Sequence, residues 1–140
     1  YKSIGCVPVD RKNTRSRHEA FLEMVRIVAN NGNIFIFPEG GRNKNPETYM
    51  KELQDGVTKI AQITGAPIVP LALNNNYRFR SNDLLVRVGE PFLVGKTDDL
   101  KEVNEKLKEV LATLIWENME LEAEINKNKN KQKHKDKAKF

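Results

Sequence analysis

Apolar residues in this chain form two patterns, short continuous runs and longer stretches in which they recur at helical spacing. Continuous runs bounded by charged residues, glycine or proline are typical of buried strands. They predict four strands, at residues 4–9, 33–37, 67–73 and 84–88. Because Pro38 cannot donate to a strand ladder, the second strand ends there and a charged loop follows its carboxyl end.

Helical spacing marks three further segments. The first covers residues 17–31 and ends at an Asn-Gly pair, which suits a helix C-terminus. The second has two alternative starts, at Asn45 or at Asp55, and ends at Gly65. The third follows an acidic cap at residues 97–99, and its apolar stripe comprises Leu100, Val103, Leu107, Val110, Leu111 and Leu114.

Strands that alternate with helices predict an α/β fold with a largely parallel sheet covered by helices on both faces. Residues 1–126 are enough for one core, so we expect one domain over this range. In such sheets, ligands bind at the carboxyl ends of strands. Two charged loops, at residues 10–12 and 39–43, follow predicted strands and are therefore the candidate binding loops.

The net charge of +5 is unevenly distributed along the chain. Residues 127–140 contain seven Lys and one Asp, a charge of +6, so residues 1–126 sum to −1. This tail has too few apolar residues to pack, and we expect it to be disordered. It could be a solubilising tail, a tether to anionic lipid, or a nucleic-acid-binding arm, and the sequence leaves the three open.

Some classes of protein do not fit the composition. No apolar run approaches the ~20 residues of a membrane span. One cysteine, Cys6, allows neither an internal disulfide nor a CxxC site, which favours a cytoplasmic setting. Cys6 lies in the first apolar run, which predicts a buried and inert thiol. Neither His18 nor His134 has companions at ligand spacing, so we expect no metal.

The second charged loop has the chemistry of an anion site. Gly40 and Gly41 can turn their backbone N–H groups toward one point, and Arg42 adds a fork that matches phosphate oxygens. Arg11 could join them if the two strands are neighbours. Glu39 would repel a phosphate unless it pairs with an arginine or accepts a hydrogen bond from a ligand hydroxyl. A polyol phosphate meets both needs, whereas solvated loop charges are the simpler alternative.

A wider pattern consists of four segments in order, IGCVPVDR, FIFPEGGR, GAPIVPLAL and VRVGEPF. Together they resemble the glycerolipid acyltransferase family, the group that contains the 1-acylglycerol-3-phosphate acyltransferases. The first three are similar to that family's second, third and fourth sequence blocks, and the last to a later strand. The resemblance covers most of residues 3–91. Gly41 and Asn43 stand where the family commonly has Thr and Ser.

The resemblance implies transfer of a fatty acyl group from coenzyme A or acyl carrier protein to a glycerophosphate hydroxyl at a membrane face, without a cofactor. Lysophosphatidate is the expected acceptor, with glycerol 3-phosphate or another lysophospholipid as alternatives. By position in the blocks, acceptor binding is implied for Arg11, Glu39, Gly40 and Arg42, next to Gly41. Pro70 is implied to shape the acceptor or acyl site.

The family's first block, a His followed by four residues and an Asp, supplies the general base. No His precedes Arg11 in this chain. His18 and Glu23 have a similar spacing but lie after the second block, and on a helix they would point about 140° apart. A general base contributes ~10²- to 10⁴-fold in rate. We therefore expect a fragment that binds its acceptor weakly and shows no measurable acyl transfer alone.

A second hypothesis from another class is a non-catalytic module that binds an anion or a nucleic acid through its loops and Lys-rich tail. The charge distribution counts against nucleic acid as a partner, because nucleic-acid-binding domains usually carry a basic face and residues 1–126 sum to −1. Salt-dependent binding to duplex DNA would separate the two hypotheses.

Overall fold

A computed structural model describes residues 5–41, 43–45, 48–74 and 84–137. The chain divides into two compact units. The first comprises residues 1–68 and 91–106, and the second comprises residues 69–90 and 107–140. Within the described ranges there are three helices and two strands.

Helix α1 (Thr14–Ala29) begins three residues before the predicted start because Asn13 caps it. Asn13 Oδ1 accepts hydrogen bonds from the N–H groups of the second and third helical residues at 2.9 and 3.2 Å. At the other end, Asn31 adopts a left-handed φ of 62° and the Gly32 N–H donates to Ile27 O at 2.9 Å. This Schellman-type ending confirms the predicted Asn-Gly stop.

Helix α2 (Gly56–Thr64) confirms the later of the two predicted starts. Its N-cap is Asp55, and it ends at Gly65, whose left-handed φ of 71° suits a residue without Cβ. No helix begins at Asn45: the described residues 48–54 are not helical, and the rest of that predicted start lies outside the described residues.

The core of the first unit lies where α2 packs against α1. A buried polar chain accompanies it: the Thr58 hydroxyl donates to Asn104 Oδ1 at 3.0 Å, and Asn104 Nδ2 donates to Asp55. Satisfied polar groups of this kind avoid the cost of buried unpaired atoms. Ile68 pairs with Phe92 in an isolated antiparallel bridge. The buried residues of this unit are Ala20, Thr58, Ile60, Ala61, Ile68, Val94, Val103 and Asn104.

The second unit combines a strand pair with most of a long helix. Strands β1 (Leu71–Leu73) and β2 (Val86–Val88) are antiparallel, with Leu71 opposite Val88, and they confirm two predicted strands in shorter form. Helix α3 (Leu100–Lys137) contributes residues 107–137 to this unit. Its buried positions recur every three or four residues, as the predicted stripe requires: Leu107, Leu111, Leu114 and Asn118.

Three predictions about the fold need correction. The sheet of the described residues is antiparallel and two-stranded, not largely parallel. The described residues 5–9 and 33–37 form no strand, and Cys6 is exposed rather than buried. An apolar run becomes a strand only where a neighbour completes its hydrogen bonds, and neither run has such a neighbour among the described residues. The presence of both helices and strands agrees with an α/β protein.

The third correction concerns the Lys-rich tail. The backbone of residues 127–137 continues α3, where the sequence predicts disorder. A helix that is already formed adds residues more easily than a new one nucleates, which favours extension from the packed part of α3. The proposed domain limit at residue 126 stays a prediction.

Candidate functional site

The loop after residue 37 is a tight turn built by a proline and a glycine. The Gly40 N–H donates to Phe37 O at 3.2 Å, which closes a four-residue turn with Pro38 in its second position. Gly40 has a left-handed φ of 63°, and a Cβ added there would lie 3.1 Å from Gln54 Cγ. Conformation and close approach therefore both require glycine at residue 40.

Two hydrogen bonds fasten this turn to a segment more than ten residues later. Glu39 Oε2 accepts from the Lys51 N–H at 2.9 Å, and the Gln54 N–H donates to Pro38 O at 2.8 Å. One oxygen of Glu39 thus binds backbone of its own unit, a contact that the sequence analysis did not anticipate. The carboxylate holds the Lys51 segment beside the turn.

Two cationic side chains, those of Arg11 and Lys51, approach Gly41. A Cβ added to Gly41 would be 3.2 Å from Arg11 Nη1 and 3.9 Å from Lys51 Nζ. The structure therefore brings Arg11 next to the glycine turn, although residues 5–9 and 33–37 do not form the neighbouring strands on which the sequence analysis made this approach depend. It adds Lys51, which the sequence analysis missed because nothing in the spacing of the chain relates residue 51 to residue 11.

Arg11 is carried by a turn that leads into α1. The Asn13 N–H donates to Asp10 O at 3.2 Å, and Asp10 Oδ1 accepts from the Lys12 N–H at 2.9 Å. The Asp10 N–H donates in turn to Ser16 Oγ at 2.9 Å. This network fixes the backbone of residue 11, so the guanidinium reaches Gly41 from an ordered base.

The chain after the turn is held by Asn43. Asn43 Nδ2 donates to Thr48 O at 2.7 Å and to Thr48 Oγ1 at 3.2 Å, and its Oδ1 accepts from the Asn45 N–H at 3.0 Å. The amide thus closes this loop on itself. Arg42, the predicted phosphate fork between the turn and this loop, lies outside the described residues.

Pro70 belongs to the second unit, whereas the other described site residues belong to the first. Pro70 is buried, and its carbonyl accepts from the Gly89 N–H at 2.9 Å. A Cβ on Gly89 would lie 3.4 Å from Pro70 Cβ and 3.0 Å from Leu114 Cδ1. These contacts give Pro70 a packing role beside β1, and its implied role in substrate binding stays a prediction.

Glu23, the carboxylate that the sequence analysis weighed as a partner of His18, makes a local contact instead. Both carboxylate oxygens of Glu23 bind Arg26, at 2.7 and 3.0 Å, and this hydrogen-bonded carboxylate raises the pKa of Arg26. Glu23 therefore serves an exposed helix ion pair, which agrees with the rejection of a dyad with His18. Within the described ranges, no group of His, Cys, Asp or Glu residues is arranged to hold a metal ion.

Comparison with known proteins assigns this chain to a family. Residues 1–74 match the family described as Acyltransferase, over a range that contains Arg11, the turn at residues 37–41 and Pro70. The chain belongs to this acyltransferase family. The resemblance stated from the four sequence segments is thereby confirmed.

Curated relatives agree with the family. A 1-acyl-sn-glycerol-3-phosphate acyltransferase of Borreliella burgdorferi is 29% identical over 114 residues, which cover 80% of this chain and 45% of the relative. One of Cocos nucifera is 35% identical over 100 residues, covering 67% and 32%. The chloroplastic enzyme BAT2 of Brassica napus is 33% identical over 70 residues, covering 50% and 20%. The chain thus spans less than half the length of these relatives. No solved structure gives a significant match.

Hydropathy adds one finding about these acyltransferase residues. In the part of the chain that the structure describes, none of the helices combines the length and the apolar character needed to cross a bilayer.

Proposed function

We propose that this chain supplies the acyl-acceptor site of an enzyme that transfers a fatty acyl group from a thioester to the free hydroxyl of lysophosphatidate. The observation that carries the proposal is the approach of the Arg11 guanidinium to Gly41 in the turn of the third block. Family membership supports the reaction class, and the names of the relatives support the acceptor.

The acceptor phosphate is proposed to bind above the glycine turn. A guanidinium presents two parallel N–H groups that fit a phosphate, so Arg11 suits this position. Arg42 is assigned the same role from the chemistry of its guanidinium and from the resemblance, because it lies outside the described residues. Glu39, which anchors the turn through one oxygen, has a second carboxylate oxygen with which to accept a hydrogen bond from the glycerol part of the acceptor.

The chemical step needs a base that takes the proton of the acceptor hydroxyl. The freed oxygen attacks the thioester carbonyl, and the thiolate of coenzyme A or acyl carrier protein leaves. The proposal assigns the base to the His of the family's first block, which lies before the Asp10-Arg11 block in relatives. Glycerol 3-phosphate and other lysophospholipids are the alternative acceptors. The donor carries the acyl group, and no cofactor or metal is part of the proposal.

The sheet arrangement of the whole protein and its location in the cell are also proposals. We propose that the whole protein contains the largely parallel sheet that the sequence predicts. The Lys residues of 127–137 follow one another at alternate positions and carry enough charge to attract anionic lipid, at up to ~1 kcal/mol for each Lys near the surface. A cytoplasmic enzyme on a membrane face would reach its lipid acceptor this way.

The test uses the protein at its native length, determined first by mass and N-terminal sequencing of the protein from its source. Arg11→Ala should lower kcat/KM for lysophosphatidate by about 10- to 100-fold, because a charged hydrogen bond contributes about 1.5–3 kcal/mol. Arg15→Ala is the matched control, since Arg15 is an exposed arginine that pairs with Glu19 on α1. Equal kinetics of both variants would contradict the acceptor site.

A further inference from the structure

We infer that Lys51 sets the acceptor specificity of this site, because its ammonium and the Arg11 guanidinium together select a phosphomonoester over a phosphodiester. The inference rests on the proposed function and extends it to a residue that the sequence analysis did not assign. The ligand class is a phosphate group with one organic substituent, as at the end of lysophosphatidate or glycerol 3-phosphate.

The two cations converge on one place. Arg11 Nη1 and Lys51 Nζ both lie within 3.9 Å of the position that a Cβ of Gly41 would occupy. Since residue 41 is glycine, no side chain of its own separates these two cations from its backbone. A phosphate group bound beside Gly41 would be within reach of both side chains.

Both charges are available to a ligand. Within the part of the chain that the structure describes, neither Arg11 nor Lys51 forms an ion pair. The ion pairs that arginines form there join Arg15 to Glu19, Arg26 to Glu23 and Arg87 to Glu117. Both side chains are exposed. A ligand beside Gly41 would therefore meet two positive charges that no carboxylate of an ion pair compensates.

The backbone of Lys51 is fixed in this position. Its N–H binds Glu39 Oε2 at 2.9 Å, and the nearby Gln54 N–H binds Pro38 O at 2.8 Å. The turn that contains Gly41 therefore also holds the segment that carries the ammonium. A charge carried on a fixed backbone loses less free energy on binding than one whose whole segment must first be ordered.

Charge matching gives the selectivity. A phosphomonoester carries about −1.5 to −2 charges at pH 7, whereas a phosphodiester carries a single one. A second cation adds more attraction for the monoester than for the diester, because the Coulomb energy scales with the product of the charges. Arg11 alone would bind both ligand types with less discrimination.

The experiment measures binding of soluble probes to the full chain by NMR titration at about 0.01 M salt, where screening is weak. The probes are glycerol 3-phosphate, a monoester, and glycerophosphoglycerol, a diester without a positive charge. Wild-type protein should prefer the monoester by about tenfold. Lys51→Gln should weaken monoester binding about tenfold and diester binding by about twofold. Lys51→Arg should keep most of the preference.

The matched control is Lys96→Gln, which removes the charge of an exposed lysine in the turn before α3. This variant should bind both probes as wild type does. If Lys51→Gln behaves like Lys96→Gln while Arg11→Ala loses binding, the acceptor site stands and the role of Lys51 is wrong. If wild-type protein binds neither probe, the proposed acceptor site itself is wrong.

Inorganic phosphate is the third probe, and it separates a lipid headgroup from a free phosphate as the natural ligand. Glycerol 3-phosphate should bind more tightly, since its hydroxyl groups offer a hydrogen bond to Glu39. Equal affinity for inorganic phosphate would identify a free-phosphate site and overturn the inference. Unchanged dispersion of the NMR spectra of every variant verifies that folding is intact.

Discussion

Different interactions stabilise the glycine turn of the first unit and the strand pair of the second unit, which packs against α3. Residues 38–41 of the turn are only half-buried, and its shape depends on single hydrogen bonds such as that from the Lys51 N–H to Glu39. The strand pair relies on the buried stripe of α3, in which Leu107 is 2% exposed. The comparison shows that the charged residues of the candidate site lie where little apolar area is buried. The region that buries more apolar area contributes more of the stability.

The largest expected effect is in the stripe of the second unit. Leu111→Ala should lower the free energy of unfolding by about 2–4 kcal/mol, because it leaves a cavity at a position that is 8% exposed. Urea denaturation followed by circular dichroism measures it. Leu84→Ala, at a position that is 50% exposed, is the matched control and should cost less than about 1 kcal/mol. Equal costs would remove the contrast between the two regions.

A buried polar contact in the same unit should have a smaller effect. Asn118 is 2% exposed and its Nδ2 donates to Ala72 O at 3.0 Å. Asn118→Ala should cost about 1–3 kcal/mol, because the carbonyl of β1 loses its partner inside the protein. The loss should appear in the same denaturation experiment. A stability equal to that of wild type would mean that water satisfies the carbonyl as well as Asn118 does.

The two adjacent glycines of the turn should respond in opposite ways. Gly40→Ala should cost about 1–2 kcal/mol of stability, because alanine at a φ of 63° is strained. Gly41→Ala should change stability by less than about 0.5 kcal/mol, since its new methyl group meets the mobile ends of Arg11 and Lys51. It should nevertheless weaken glycerol 3-phosphate binding several-fold by displacing these cations, as the NMR titration would show. The reverse pattern would place the ligand elsewhere.

The smallest effect on stability should come from the Lys-rich end of α3. Removal of residues 127–140 should leave the free energy of unfolding within about 0.5 kcal/mol of wild type, because the last described buried position of α3 is Asn118 and the described residues 127–129 are exposed. Sedimentation with anionic vesicles should fall markedly if this segment is a lipid tether. Vesicle binding that persists after removal would refute the tether, and lost binding to duplex DNA would support a nucleic-acid arm instead.

The helices were predictable because their signals are local. The Asn-Gly stop of α1, the glycine at the end of α2 and the stripe of α3 can each be recognised within a few turns of sequence. The strands were less predictable, since residues 33–37 look like a strand but no neighbour pairs with them among the described residues. Strand pairing depends on residues that are far away in the sequence, and the apolar run itself does not specify them.

The sequence by itself determined the family, the order of the helices and the charged residues of the turn, because motifs and periodicity are properties of neighbouring positions. Only the tertiary structure decided that Glu39 binds the backbone of residue 51 and that Lys51 joins Arg11 at Gly41. Glu39 and residue 51 are 12 positions apart in the chain, and Arg11 and Lys51 are 40 positions apart. Such pairs are created by the path of the folded backbone, and no local pattern of residues specifies them.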